Sequence, residues 1–142
     1  MIETNTRNQS TLVVTAIRVL VVFEAATFSV AASIHLGATQ PFGVSEPRIL
    51  PAAIVEGLAG LFCAGSAFAV FTRKPRAWDA ALAANLFALF GVTLGILALA
   101  IDYGPSTNLN GVYHRVMLFV LVVCILFLLT PSGRTKLANT PD

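Results

Sequence analysis

The stretch YHRVMLFVLVVCILFLL (Tyr113–Leu129) decides the fold class: three residues that bond or carry charge open it, and fourteen apolar residues follow without a break. A bilayer core about 30 Å thick takes roughly 20 apolar residues as a helix. Three further segments have the same character, so the chain reads as four spans at about 12–36, 49–71, 79–101 and 112–130. The links between them are short, which makes successive helices antiparallel neighbours. The expected fold class is therefore all-α, an integral membrane four-helix up-down bundle.

Composition points the same way. Hydrophobic residues make up 56% of the chain and charged residues 11%, with a mean hydropathy of +0.81. A soluble domain carries about 25% charged residues. The expected organisation is a single transmembrane domain, 12–130, between polar and mobile tails at 1–11 and 131–142. A net charge of +2 with no basic stripe gives no reason to expect nucleic acid, so the partner expected is the lipid bilayer. Cys63 and Cys124 lie inside apolar runs and outside any CxxC or Cys/His ligand spacing, so they read as small apolar fillers.

Orientation follows from Lys and Arg. The link TRKPRAWD carries Arg73, Lys74 and Arg76, the tails add Arg7, Arg134 and Lys136, and Arg18 stands near the start of span one. Of the other two links, one holds only Arg48 and the other, DYGPSTNLNG, holds no Lys or Arg. Positive residues stay cytoplasmic, so the expected topology is N-in/C-in, multi-pass, in a bacterial plasma (inner) membrane. Trp78 fits an anchor at the interface. Val30-Ala-Ala32 before Ser33 has the look of a signal-peptide cleavage site, but Glu24 interrupts the apolar run such a peptide needs, so span one is read as uncleaved.

Helices in lipid associate by close packing and interhelical hydrogen bonds. Gly91 and Gly95 form a GxxxG in span three, and Ala53/Gly57 and Gly60/Ala64 repeat the small-xxx-small spacing in span two. These serve packing within one chain, or alternatively a homo-oligomer or a membrane-complex partner.

Ionisable groups in lipid are site candidates by default. His35 closes span one, Glu56 lies roughly 10 Å below the outer end of span two, Asp102 closes span three and Tyr113-His114 opens span four. These five residues, with Tyr103 beside them, converge on one end of the bundle, and the five define an expected pocket. Each has a plainer reading: helix-end histidines at the interface, a loop aspartate in water, and an Arg115 that snorkels. Glu56 is the hardest to explain that way, because its helix is otherwise Ala, Gly, Leu and Phe. A deeper polar track is expected from Glu24 and Asn85, with a hydrogen bond between them. Residues 24, 28, 31 and 35 recur at helical spacing, which puts Glu24 and His35 on one face.

The segments Ile34-His-Leu-Gly37, Val55-Glu-Gly57, Phe87-Ala-Leu-Phe-Gly91-Val-Thr-Leu-Gly95, Gly104-Pro-Ser-Thr107 and Tyr113-His114 occur in an order that resembles a group of small four-span bacterial membrane proteins with no assigned activity. The resemblance covers roughly residues 18–130 and implies the four-span fold without a reaction. The chain is similar to the DoxX-like small membrane proteins only in size and helix count.

GxSxG, HExxH, P-loop and GxGxxG signatures are all missing, so the expectation is a non-enzymatic membrane protein. Its outward-facing polar pocket is expected to bind a small ligand or ion. One alternative is a metal or haem protein using His35 and His114, with His35, Glu56 and His114 as candidate metal ligands. The other is a structural subunit of a membrane complex. No motif names a cofactor.

Overall fold

The computed structural model of the 142-residue chain describes residues 2–44, 46–103, 105 and 107–138, with the side chains of these apart from residues 2–7 and 42. Four long helices, α1 (Ile2–His35), α2 (Leu50–Phe71), α3 (Ala77–Ala100) and α4 (Asn108–Leu129), are followed by a short α5 (Pro131–Ala138). Each of α1 to α4 contains a segment long and apolar enough to cross a membrane, that of α1 being Asn8–His35. The helices pack in sequence, and α1 closes the ring against α4. The expected all-α four-helix bundle is the observed fold.

The helix ends are made by local chemistry. At the end of α1, Ala38 N–H bonds Ser33 O at 2.9 Å and Gly37 N–H bonds Ile34 O at 2.8 Å. Gly37 takes the left-handed φ of 71° that this Schellman turn needs. The same 6→1 bond ends α2 (Lys74 to Ala69) and α3 (Tyr103 to Ala98), but there Arg73 (φ 53°) and Asp102 (φ 52°) occupy the left-handed position. Pro51 stands in the first turn of α2, where a missing N–H is tolerated. Thr107 caps α4 by accepting from Asn110 N–H at 3.0 Å.

Both polar ends differ from expectation. Helix α1 runs back through the expected N-terminal tail to Ile2, because a helix already nucleated by an apolar span extends one hydrogen bond per residue. Residues 131–138 of the expected C-terminal tail form α5. Thr130 Oγ accepts from Gly133 N–H at 3.1 Å, Pro131 starts the helix, and Leu137 is buried against α1. One buried leucine in a polar segment is enough to dock it.

The core has two layers. At the end bearing the basic link, Ile17, Val21, Val70, Ala81, Cys124, Leu128 and Leu137 pack together. Nearer the other end, Phe28, Ala59, Cys63, Ala88, Val92, Met117 and Leu121 form the second. Small residues bring the helices close: a Cβ on Gly60 would lie 2.9 Å from Ser29 Oγ, and one on Gly91 would lie 2.7 Å from Val55 Cγ1. Gly57, Gly60, Gly91 and Gly95 thus face neighbouring helices of the same chain, whereas Ala64 is exposed. Outside, Phe68, Phe90 and Phe119 are 63–70% exposed. So large an apolar girdle around one small bundle suits lipid and not water, and the chain is a multi-pass membrane protein.

Trp78 is half-buried and donates from Nε1 to Leu128 O at 2.8 Å, with the Arg134 guanidinium 5.4 Å above its ring. It ties α3 to the end of α4 as well as marking the interface.

Candidate functional site

The site lies at the end of the bundle opposite the basic link. The segment 36–49 reverses the chain, and Ile49 N–H bonds His35 O at 3.2 Å, which fixes the start of α2 against the end of α1. Glu56, in the second turn of α2, directs its carboxylate back towards that end. His35 Nδ1 lies 2.8 Å from Glu56 Oε2, with both side chains buried. The difference in depth read from the sequence is closed by the carboxylate itself, so the two groups bond directly. Because a carboxylate oxygen accepts, His35 Nδ1–H is the donor.

Among the described residues, Glu56 Oε1 and Tyr113 Oη are buried side-chain atoms with no hydrogen-bond partner. Both residues line a cavity of about 580 Å³ between α2, α3 and α4. Phe28, Ala59, Ala88 and Val92 form its apolar floor and walls, His114 stands on one side, and Arg48, Tyr103 and Pro105 lie along it at the loop end. A second cavity of about 330 Å³ lies between α1 and α4, lined by Ala31, Ile34, His35, Val44, Leu109 and Tyr113 among others. Tyr113 lines both cavities, while His35 faces one and its partner Glu56 the other. The tyrosine and the buried pair therefore make the wall between them.

His114 is buried and its ring meets Tyr113 edge-on, with centroids 5.2 Å apart. Its Nδ1 lies 2.9 Å from Asn110 O. A carbonyl only accepts, so Nδ1–H donates, which in the neutral tautomer leaves the lone pair on Nε2. That nitrogen approaches the α3 backbone at Gly95, where an added Cβ would collide with the imidazole. Gly95 thus makes room for the His114 ring, a role hidden by its GxxxG setting.

Of the five expected pocket residues, Glu56, Tyr113 and His114 line the large cavity, and His35 joins through its bond to Glu56. Asp102 does not. It is exposed in the left-handed turn after α3, and the next residue, Tyr103, lines the cavity in its place. Arg48 also lies there, although the sequence marked it only as the lone cation of its link. Among the described residues, no three or more His, Cys, Asp and Glu side chains are gathered closely enough to hold a metal ion. His35, Glu56 and His114 therefore do not form a three-ligand cluster.

The link over the site is pinned by a contact that spacing gives no hint of. Thr107 Oγ1 donates to the Glu46 carboxylate, 2.7 and 2.9 Å from its two oxygens. The residue that caps α4 thereby also holds the α1–α2 link.

Glu24 and Asn85 are fully buried, at the level where the two core layers meet. The Cys63 thiol donates to Glu24 Oε2 at 3.9 Å, and Cys124 and Asn85 stand beside the same carboxyl. Asn85 gives its amide Nδ2–H to Ala81 O at 3.0 Å, while Asn85 Oδ1 and Glu24 Oε1 have no partner among the described residues. Phe28 is buried on the helix face that Glu24 and His35 share.

No family model, no curated protein and no solved structure matches this chain.

Proposed function

We propose that this is a multi-pass protein of the bacterial plasma membrane, with both termini inside, whose outward-facing pocket binds a small ligand without catalysing its conversion. One observation carries the reading: the lining of a large apolar-walled cavity includes Glu56 and Tyr113, each with a buried side-chain oxygen that has no hydrogen-bond partner among the described residues. Buried polar atoms are nearly always hydrogen-bonded, and leaving one unpaired costs about 1–3 kcal/mol. Their place in a cavity wall is where a ligand offers the missing bonds. The basic link, Arg134 and Lys136 support an inward basic end and an outward pocket.

The test is to purify the protein in mild detergent and identify by mass spectrometry the small molecules it retains. Ala98→Phe narrows the cavity from a half-buried wall position. The expected result is a compound retained by the wild type and lost from folded Ala98→Phe protein. Equal retention by both, or none by either, contradicts the reading.

A further inference from the structure

We propose that the pocket takes an uncharged lipophile whose head group both donates and accepts hydrogen bonds, an alcohol or a primary amide. The inference rests on the pocket reading above and adds the chemical class of the occupant.

The unpaired atoms select the head group by elimination. Glu56 Oε1 accepts and Tyr113 O–H donates; beside them in the lining stands His114, whose Nδ1 is turned to Asn110 O, so that Nε2 is a further acceptor when the ring is neutral. A ketone or ester has no donor for Glu56. An ammonium has donors but nothing to receive the phenol proton. A carboxylate or phosphate has no donor for Glu56 and would bring a charge into low-dielectric surroundings, which is unfavourable. A hydroxyl does both: its O–H goes to Glu56 or His114, and its lone pair receives Tyr113 O–H. A primary amide also matches, with two N–H groups for the two acceptors and one carbonyl for the phenol.

The walls define the remainder of the molecule. Phe28, Ala59, Ala88 and Val92 offer hydrocarbon contact and no polar atoms of their side chains. Val55 of α2 and Leu94 of α3 add to the apolar lining. A freely water-soluble polyol would leave most of its hydroxyls unpaired against these residues. A single polar head on an apolar body does not.

The experiment uses one chain length and varies only the head: 1-decanol, decanamide, 2-decanone, decylammonium and decanoate. Each is titrated into full-length protein in mild detergent, and the thermal midpoint is followed for the wild type and Ala98→Phe. The comparison removes the effect of each compound on the micelle. The expected result is a saturable rise with decanol or decanamide in the wild type only, the larger of the two telling how many donors the site uses. Tyr113→Phe should weaken that response roughly three- to tenfold, the loss of one ordinary hydrogen bond. A rise as large with decanone, decylammonium or decanoate, absent from Ala98→Phe, overturns the head-group assignment and leaves the pocket standing. Identical behaviour of wild type and Ala98→Phe with every compound overturns the inference together with the reading beneath it.

Discussion

His35 and Glu56, on different helices and 21 residues apart, meet through a 2.8 Å bond inside the bundle, and together with Tyr113 they separate its two cavities. Removing one partner of a buried pair leaves the other uncompensated, a change that costs about 3–5 kcal/mol. His35→Ala should therefore destabilise the protein strongly. Glu56→Gln, which keeps an oxygen for His35 Nδ1–H, should be milder. A double-mutant cycle by thermal unfolding in detergent should give a coupling energy within about 0.5–3 kcal/mol. Additive effects would mean that the pair does not act as a unit.

Gly95 faces the His114 ring, and a methyl group there has no space. Gly95→Ala should displace the imidazole and destabilise the protein by about 1–3 kcal/mol, the range for overpacking. The variant Gly95→Ala/His114→Ala, which removes the obstacle, should recover part of that loss. If Gly95→Ala alone is neutral, the close approach of α3 to His114 is wrong.

Thr107 caps α4 and holds Glu46 at the same time. Thr107→Val should cost about 1–2 kcal/mol through the lost cap. Hydrogen exchange should rise in residues 36–49 as well as at the start of α4. A rise confined to α4 would show that the Glu46 contact does not hold the link.

Asp102 occupies a left-handed turn outside the pocket. Asp102→Gly should stabilise the protein by up to about 1 kcal/mol, since glycine adopts that conformation without the Cβ clash. Ligand retention should be unchanged. Loss of the ligand on this substitution would return Asp102 to the site.

Spans, links and the ionisable residues within them were legible because hydropathy and the expense of burying charge are properties of single positions along the chain. Glu56 stood out among Ala, Gly, Leu and Phe, and the two histidines stood at matching helix ends. What spacing leaves open is decided by turns. One left-handed residue after α3 puts Tyr103 rather than Asp102 in the cavity wall. Glu46 and Thr107 lie in links with no periodicity, so nothing in their order announces a contact between residues 61 apart. Gly95 and Leu137 each looked typical of their surroundings, one in a packing motif and one in a polar tail, and each has a role set by a neighbour on another helix.

The most direct measurement of the central claim is thiol accessibility at Ala59, which lines the cavity about one turn deeper than Glu56. Cys63 and Cys124 are first replaced by alanine, and Ala59→Cys is compared with Ala81→Cys, a position as buried as Ala59 that lies in the other core layer and does not line the cavity. Intact cells are treated from outside with a small methanethiosulfonate reagent. The account predicts modification of Ala59→Cys, its suppression by Ala98→Phe, and no reaction at Ala81→Cys. An unreactive Ala59→Cys, or one modified only from the cytoplasmic side, would contradict an outward-facing pocket.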